Sequence, residues 1–213
     1  MYMWKIFQKI TKPFIKVLAF LFYPVYFNLF TQLRNSFYAE VMRKGFKKVG
    51  KDFYLEYPSQ ILGAKYIEIG ESFSSFARLR LEAFDNHNGH PFSPAVFIGE
   101  HVSMNYDCHI GACNKIVIGN NVLIGSNVLI TDHFHGEISA KDFLLPPGKR
   151  KLFSKGPVII GNNVWIGDGV AIMPNITIGD NSVVGANAVV TSSFPANAII
   201  AGNPAKLIRI INE

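Results

Sequence analysis

The residues best suited to chemistry in this 213-residue chain crowd into one stretch, Thr131-Asp132-His133-Phe134-His135-Gly136-Glu137. Imidazole titrates near neutral pH, so either histidine could take the proton from a hydroxyl as that oxygen attacks a carbonyl. Asp132 or Glu137 could orient the ring and stabilise its charged form. A His-x-His pair also suggests metal, and a purely hydrogen-bonding role for His133 is the plain alternative. Elsewhere the candidates are thinner. Lys206 and Arg209, three residues apart near the C-terminus, suit either phosphate or a solvated face. Lys149-Arg150-Lys151 reads as a solvated run or a contact for an anionic partner. His87 and His90 could touch an acceptor or serve only a loop, and His101 and His109 are assigned no chemistry. Cys108 and Cys113 match no zinc or redox spacing and read as small core residues in a reducing compartment. There is no Gly-x-Ser-x-Gly elbow, phosphate loop or dinucleotide fingerprint.

What must position these groups is a six-residue repeat. Ile160, Ile166, Ile172, Ile178, Val184 and Val190 recur without a slip, and four positions on from each of the first five stand Val164, Val170, Ile176, Ser182 and Ala188. A helix or an ordinary strand pair imposes no such period; a parallel β-helix with flat faces does. Each hexad supplies a short strand with one inward aliphatic residue, then a turn of Gly, Asn or Asp. Asn120-Asn121, Asn162-Asn163 and Asp180-Asn181 are such turns. Upstream the period runs through Ile61, Ile67, Phe73 and Leu79, then Ile98, Met104, Ile110 and Ile116, and in a shifted phase through Ile118, Ile124 and Ile130. It predicts a solenoid over 52–204, interrupted by excursions at 82–96 and 131–158 and closed at Gly202-Asn203-Pro204, with a C-terminal tail over 205–213. A long insertion at a solenoid corner is usually functional, and the second excursion, at 28 residues, carries the histidine pair.

Residues 1–51 form a separate arm. It holds ten Lys or Arg against one acid, Glu40, so the formal charge of +6 belongs to the arm and not to the repeat. Lys5, Lys9, Lys12 and Lys16 fall on one face of a helix, with Trp4, Ile6, Phe7 and Ile10 largely elsewhere. No small-residue cleavage site follows, so no cleavable leader is expected. The uncharged stretch from Val17 to Phe30 contains Pro24 and is short of the ~20 residues a spanning helix needs. The expectation is an interfacial helix on anionic lipid; capping of the solenoid or an oligomer seam is the alternative. Nucleic acid is not expected as a partner, because no recognised binding module accompanies the charge.

The motifs IGNNVLIGSNVLITDHFHG (118–136), IGNNVWIGDGVAIMPNITIGDNSVVGANAVVT (160–191) and PANAIIAGNPAKLIRIIN (195–212) resemble the hexapeptide-repeat acyltransferases. The likeness is to the maltose/galactoside-type and polysaccharide O-acetyltransferases in particular, and covers about residues 98–211. It implies an all-β, left-handed parallel β-helix, here with an N-terminal helical arm. It further implies a homotrimer and acetyl-CoA bound as cosubstrate between subunits, with no metal. By resemblance His133 is the catalytic base and Asn105 an acceptor contact, with His135 and Asp132 beside the acceptor. The oxyanion donor is a backbone N–H at the position held here by Asp168, where the family has serine. Trp165 walls the pantetheine and acetyl pocket, Ala186, Thr191 and Ser192 meet the pantetheine arm, and Lys206 and Arg209 meet the nucleotide phosphates. Cys113 stands where better-known sugar acetyltransferases have an acceptor-binding aspartate, so acceptor identity does not carry over.

These observations together lead to acetyl transfer from acetyl-CoA to a hydroxyl of a sugar in a surface polysaccharide or its lipid-linked precursor. The expected location is cytoplasmic, peripheral at the inner face of the cytoplasmic membrane. The rivals are an antibiotic acetyltransferase, a zinc hydratase on the same prism, and a non-catalytic scaffold.

Overall fold

The computed structural model describes residues 2–21, 24–137 and 139–211. Short strands stack in parallel into three ladders, and the chain visits them in fixed rotation as a left-handed β-helix. One coil shows the pattern: Lys115–Ile118 lies on face A, Leu123–Ile124 on face B and Leu129–Thr131 on face C. Faces A and C each carry six strands; face B carries eight. The inward columns are buried: Ile124, Ile166 and Val184 on face B, and Ile110, Ile130, Ile172 and Val190 on face C.

The apparent phase shift at Ile116 and Ile118 has a simple cause. Strand Lys115–Ile118 is long enough for both residues to point inward, with Val117 between them outward. The same is true of Ile67 and Ile69. The true columns therefore run from Ile69 to Ser75 and Leu81, because Ser75 pairs in register with Met104 and Leu81 with Ile110. Phe73 and Leu79, expected in those columns, are buried at the corners that precede the strands.

The corners are built from residues that tolerate positive φ. Asn121, Asn163, Asn181 and Asn197 stack at the A–B corner with φ between 56° and 60°. Beside them, Asn120 Oδ1 accepts the Glu100 N–H, Asn162 Oδ1 the Asn120 N–H, and Asp180 Oδ1 the Asn162 N–H. These polar side chains thus cap the backbone of the coil below. Close stacking also demands glycine here, since a Cβ on Gly119 would lie 2.6 Å from the Gly161 carbonyl oxygen.

Two helices precede the coils. α1 spans Tyr2–Leu21 and α2 spans Pro24–Arg43, with proline at the first helical position. The second half of α2 closes the solenoid's N-terminal end. Ala39 is buried, Tyr38 and Met42 pack on the core, and buried Asn35 donates to the Tyr54 hydroxyl at 2.9 Å. The first strand, Lys48–Val49, already pairs with Glu68 and Ile69, so coiling begins inside the segment read as arm. At the other end Lys206–Ile210 turns back antiparallel on Ala198–Ala201.

Candidate active site

His133 follows directly on the face C strand Leu129–Thr131, where the long excursion leaves the coil. Its Nδ1 lies 3.0 Å from Asp132 Oδ1, and only 11 % of the ring side chain is exposed. Asp132 is completely buried. Its Oδ1 also accepts the Cys113 N–H at 2.9 Å, and its Oδ2 the Asn114 N–H at 2.8 Å. Both backbone donors come from the neighbouring coil, so the solenoid fixes the carboxylate and the carboxylate fixes the ring. With Nδ1 turned to a carboxylate, the proton sits on Nδ1 and Nε2 keeps its lone pair. That is the tautomer a general base requires.

Asp132, expected beside the acceptor, has no exposed surface within the chain, and its carboxylate faces His133 Nδ1 and the two backbone donors. Glu137, the other carboxylate considered, instead donates its backbone N–H to Asp142. His135 lies on the two-residue strand Phe134–His135, which pairs antiparallel with Leu152–Phe153, and its ring stands 5.6 Å from that of His87 on the first excursion. The excursions are linked again where Asn88 donates to the Gly148 carbonyl. Between them opens a cavity of about 450 Å³, with Phe92, Cys113, Asn114, Lys151 and Phe153 among its lining residues.

Cys113, Asp132 and His133 bring three potential metal-ligand atoms within 4.8 Å of one another. Asp132 already accepts two N–H donors and faces Nδ1, while burial pushes the Cys113 thiol up to about 12. The chemistry of this set is that of a closed hydrogen-bond network. Burial likewise raises Cys108, to about 11.

A second imidazole–carboxylate pair stands beside the first, and sequence reading missed it. His109 Nε2 lies 2.9 Å from Glu82 Oε2, and Glu82, only 4 % exposed in its side chain, also accepts from Arg80 and Gln60. A Cβ built on Gly111 would stand 3.3 Å from His109 Nε2 and 3.4 Å from His133 Cε1. Glycine therefore leaves a recess one methyl wide between the two rings. Phe84 closes its side, edge-on to His133 at 5.5 Å. Burial, helped by Arg80, lowers the His109 pKa against the opposing pull of Glu82. The signal lay in register: Glu82 pairs with Gly111 and Arg80 with His109 across the first excursion.

The other expected residues gather elsewhere. Asn105, Trp165, Asp168 and Ala186 line one groove of about 440 Å³ along face B and the B–C corner. The Asp168 carboxylate is tied along the corner, where its Oδ1 accepts the Ser126 N–H. The Asp168 and Ala186 N–H groups make no hydrogen bond among the described residues. Trp165 is 55 % exposed and stands in an outward column that continues Trp165–Val183–Ile199–Arg209 in direct register. Three strand spacings separate its ends, about 14 Å. A bulge at Ile199/Ile200 places Lys206 opposite Ala201 and Arg209 opposite Ile199. Both cations thus share the outward face despite their odd spacing.

Thr191 and Ser192 follow the face C strand Val189–Val190, at the same C–A corner as His133. Within one chain the candidates form two sets at opposite ends of face C: His133, Thr191 and Ser192 at one, and Asn105, Trp165, Asp168 and Ala186 at the other. The gap is on the order of 15 Å at the rise of an extended strand.

The repeat described as bacterial transferase hexapeptide (six repeats) matches residues 157–192, and the hexapeptide repeat of succinyl-transferase matches 115–131. The Escherichia coli (strain K12) protein WbbJ, named as a candidate lipopolysaccharide biosynthesis O-acetyl transferase, is 39% identical over 163 residues, covering 75% of this chain and 79% of WbbJ. The chain is a hexapeptide-repeat acyltransferase. A galactoside acetyltransferase in complex with coenzyme A shares this acyltransferase's fold at a TM-score of 0.57 and 30% identity, over 81% of this chain and 69% of the other. A maltose O-acetyltransferase from Clostridium difficile 630 matches at a TM-score of 0.53 and 31% identity, over 82% and 74% of the two chains.

Proposed function

We propose that this acyltransferase moves the acetyl group of acetyl-CoA onto a hydroxyl of a sugar in a surface polysaccharide or its lipid-linked precursor. The observation that carries the reading is the His133–Asp132 pair, its Nε2 left free beside a recess and its other nitrogen locked to a buried carboxylate. His133 Nε2 takes the hydroxyl proton as the sugar oxygen bonds to the thioester carbon. The carbonyl oxygen gains the negative charge, which the Asp168 N–H receives. The intermediate collapses, the carbon–sulfur bond breaks, and the imidazolium returns its proton to the departing thiolate. The sugar end of the reading is supported by the likeness to proteins named for O-acetyl transfer to galactoside and maltose, and in lipopolysaccharide biosynthesis.

The separation of the two residue sets argues for a homotrimer. A thioester lying against Asp168 in one chain's groove is out of reach of that chain's His133. A second copy that presents its C–A corner to the groove brings His133, Thr191 and Ser192 alongside Asn105, Trp165 and Ala186, and a cyclic trimer closes such heterologous contacts. The Trp165–Arg209 column then offers the extended pantetheine arm a wall, ending in two cations for the nucleotide phosphates.

The test is acetyl-CoA binding and slow thioester hydrolysis by wild type beside His133→Ala. Binding in both, with turnover lost only in the variant, is the expected result. Absence of binding in both removes the acyl donor and the proposal with it.

A further inference from the structure

Among the described residues, α1 displays an exposed amphipathic surface that the proposed acetyl transfer does not use. At about 100° per residue, Lys5, Lys9, Lys12 and Lys16 fall within an arc of roughly 60°. Trp4, Phe7, Ile10, Phe14 and Leu18 spread over the opposite side, and all of these side chains are exposed. The helix contains no acidic residue. By contrast α2 buries Asn35 and Ala39 against the solenoid, so the apolar demand of capping is met without α1. No helix among the described residues is long and apolar enough to cross a membrane.

We infer that α1 lies in the interface of an anionic lipid surface, its aromatic side among the acyl chains and its lysines at the headgroups. The width of the apolar side decides against a second copy of α1 as occupant. A helix seam uses a narrow stripe, whereas here exposed apolar residues from Val17 through Ile10, Phe14, Phe7, Leu18 and Trp4 to Ile15 span about 160° at about 100° per residue. Charge decides against a neutral surface. Four lysines without a single acid are attracted to anionic headgroups, and the attraction is lost beyond a Debye length. Bulky aromatic residues, Trp4 and Phe7 stacked at 5.6 Å among them, suit the boundary better than a dry core. This inference is independent of the catalytic reading, since it concerns binding alone.

Trp4 is one of only two tryptophans, so Trp165→Phe leaves it as sole reporter in the full-length chain. In buffer Trp4, 62 % exposed, should emit as a solvated indole. Vesicles containing one-third phosphatidylglycerol should shift the emission to the blue, while pure phosphatidylcholine shifts it far less. Adding Lys9→Gln and Lys12→Gln should lower the partition coefficient roughly thirty-fold, with high salt acting in the same direction. Far-UV circular dichroism and a urea midpoint equal to that of Trp165→Phe alone confirm that the lysine variant folds. Emission already blue in buffer and unmoved by vesicles overturns the inference in favour of a second copy. A shift produced by duplex DNA or RNA but not by anionic vesicles overturns it in favour of nucleic acid, and no shift with any of these overturns it outright.

Discussion

Asp132→Asn changes one oxygen to an NH₂ and leaves the shape of the site intact. In the native site Oδ1 accepts from Cys113 N–H and faces His133 Nδ1, while Oδ2 accepts from Asn114 N–H. An amide has two placements. With its oxygen at the Oδ1 position the ring keeps the correct tautomer, but the NH₂ opposes the Asn114 N–H. With the amide turned over, the NH₂ opposes the Cys113 N–H and donates to Nδ1, which moves the ring proton to Nε2 and removes the base. Each placement leaves one buried donor facing another, so the stability cost is about 1–3 kcal/mol either way. The first placement also loses the negative charge that stabilises imidazolium, and the second loses the base outright. A general base contributes about 10²–10⁴ in rate, equivalent to roughly 2.7–5.4 kcal/mol. We therefore expect kcat to fall by about 10²–10⁴, with the KM for acetyl-CoA changed less than about threefold, because Asp132 is buried behind His133 and has no surface to offer the donor. Steady-state kinetics on a glycoside acceptor, or donor hydrolysis alone, measures the first effect and urea denaturation the second. A variant with wild-type kcat would show that the buried pair does not set the base, whatever its stability.

On the proposed mechanism, in which the oxyanion donor is the backbone N–H, Asp168→Ala should keep that donor and lose only the bond to Ser126. Its kcat should stay within about threefold while stability drops by about 0.5–1.5 kcal/mol, and a loss above a hundredfold would assign the chemistry to the carboxylate. For Arg209→Ala the KM for acetyl-CoA should rise by about tenfold and that for dephospho-substrates far less, with kcat nearly unchanged. An equal rise for both donors would remove the phosphate contact. Cys108 and Cys113, whose pKa values burial raises to about 11 and about 12, should resist iodoacetamide at pH 8 until the chain is denatured. Their linkage has a definite sign. Above pH 9 the unfolded thiols release protons that the native ones hold, so stability declines as pH rises, and Cys113→Ser should flatten that decline in denaturation measured from pH 8 to 10.

The repeat was open to a reader of the sequence because, Ser75 apart, the inward positions on the short strands are apolar and most corners carry Asn, Asp or Gly, which tolerate positive φ. The phase at Phe73 and Leu79 was not, because a face A strand with two inward residues advances the count by two. His133 and Asp132 announced themselves by adjacency. That Asp132 lies buried, however, follows from two backbone donors nineteen and eighteen residues away. His109 and Glu82 meet only through coil-to-coil register across an excursion whose length hides the pairing. The direction of the Asp168 side chain is equally a matter of the coil next door. Lys206 and Arg209 share a face because of a bulge, which no periodicity announces.

The excursions leave the coil without disturbing its ladders. Ile116 pairs with Val158, and Leu129 with Ala171, across the whole of the long insertion. The molecule is therefore mechanically modular. The ladder that carries Trp165, Val183 and Arg209 takes no part in the fold of the excursions, and each excursion joins the coil only at its two ends. Exchange of the first excursion, or of the second beyond His133, for one of different length retunes what is offered to His133 while the groove along Trp165 keeps its dimensions. Acceptor preference can in this way diverge in small steps, on a scaffold whose handling of the acyl group stays fixed.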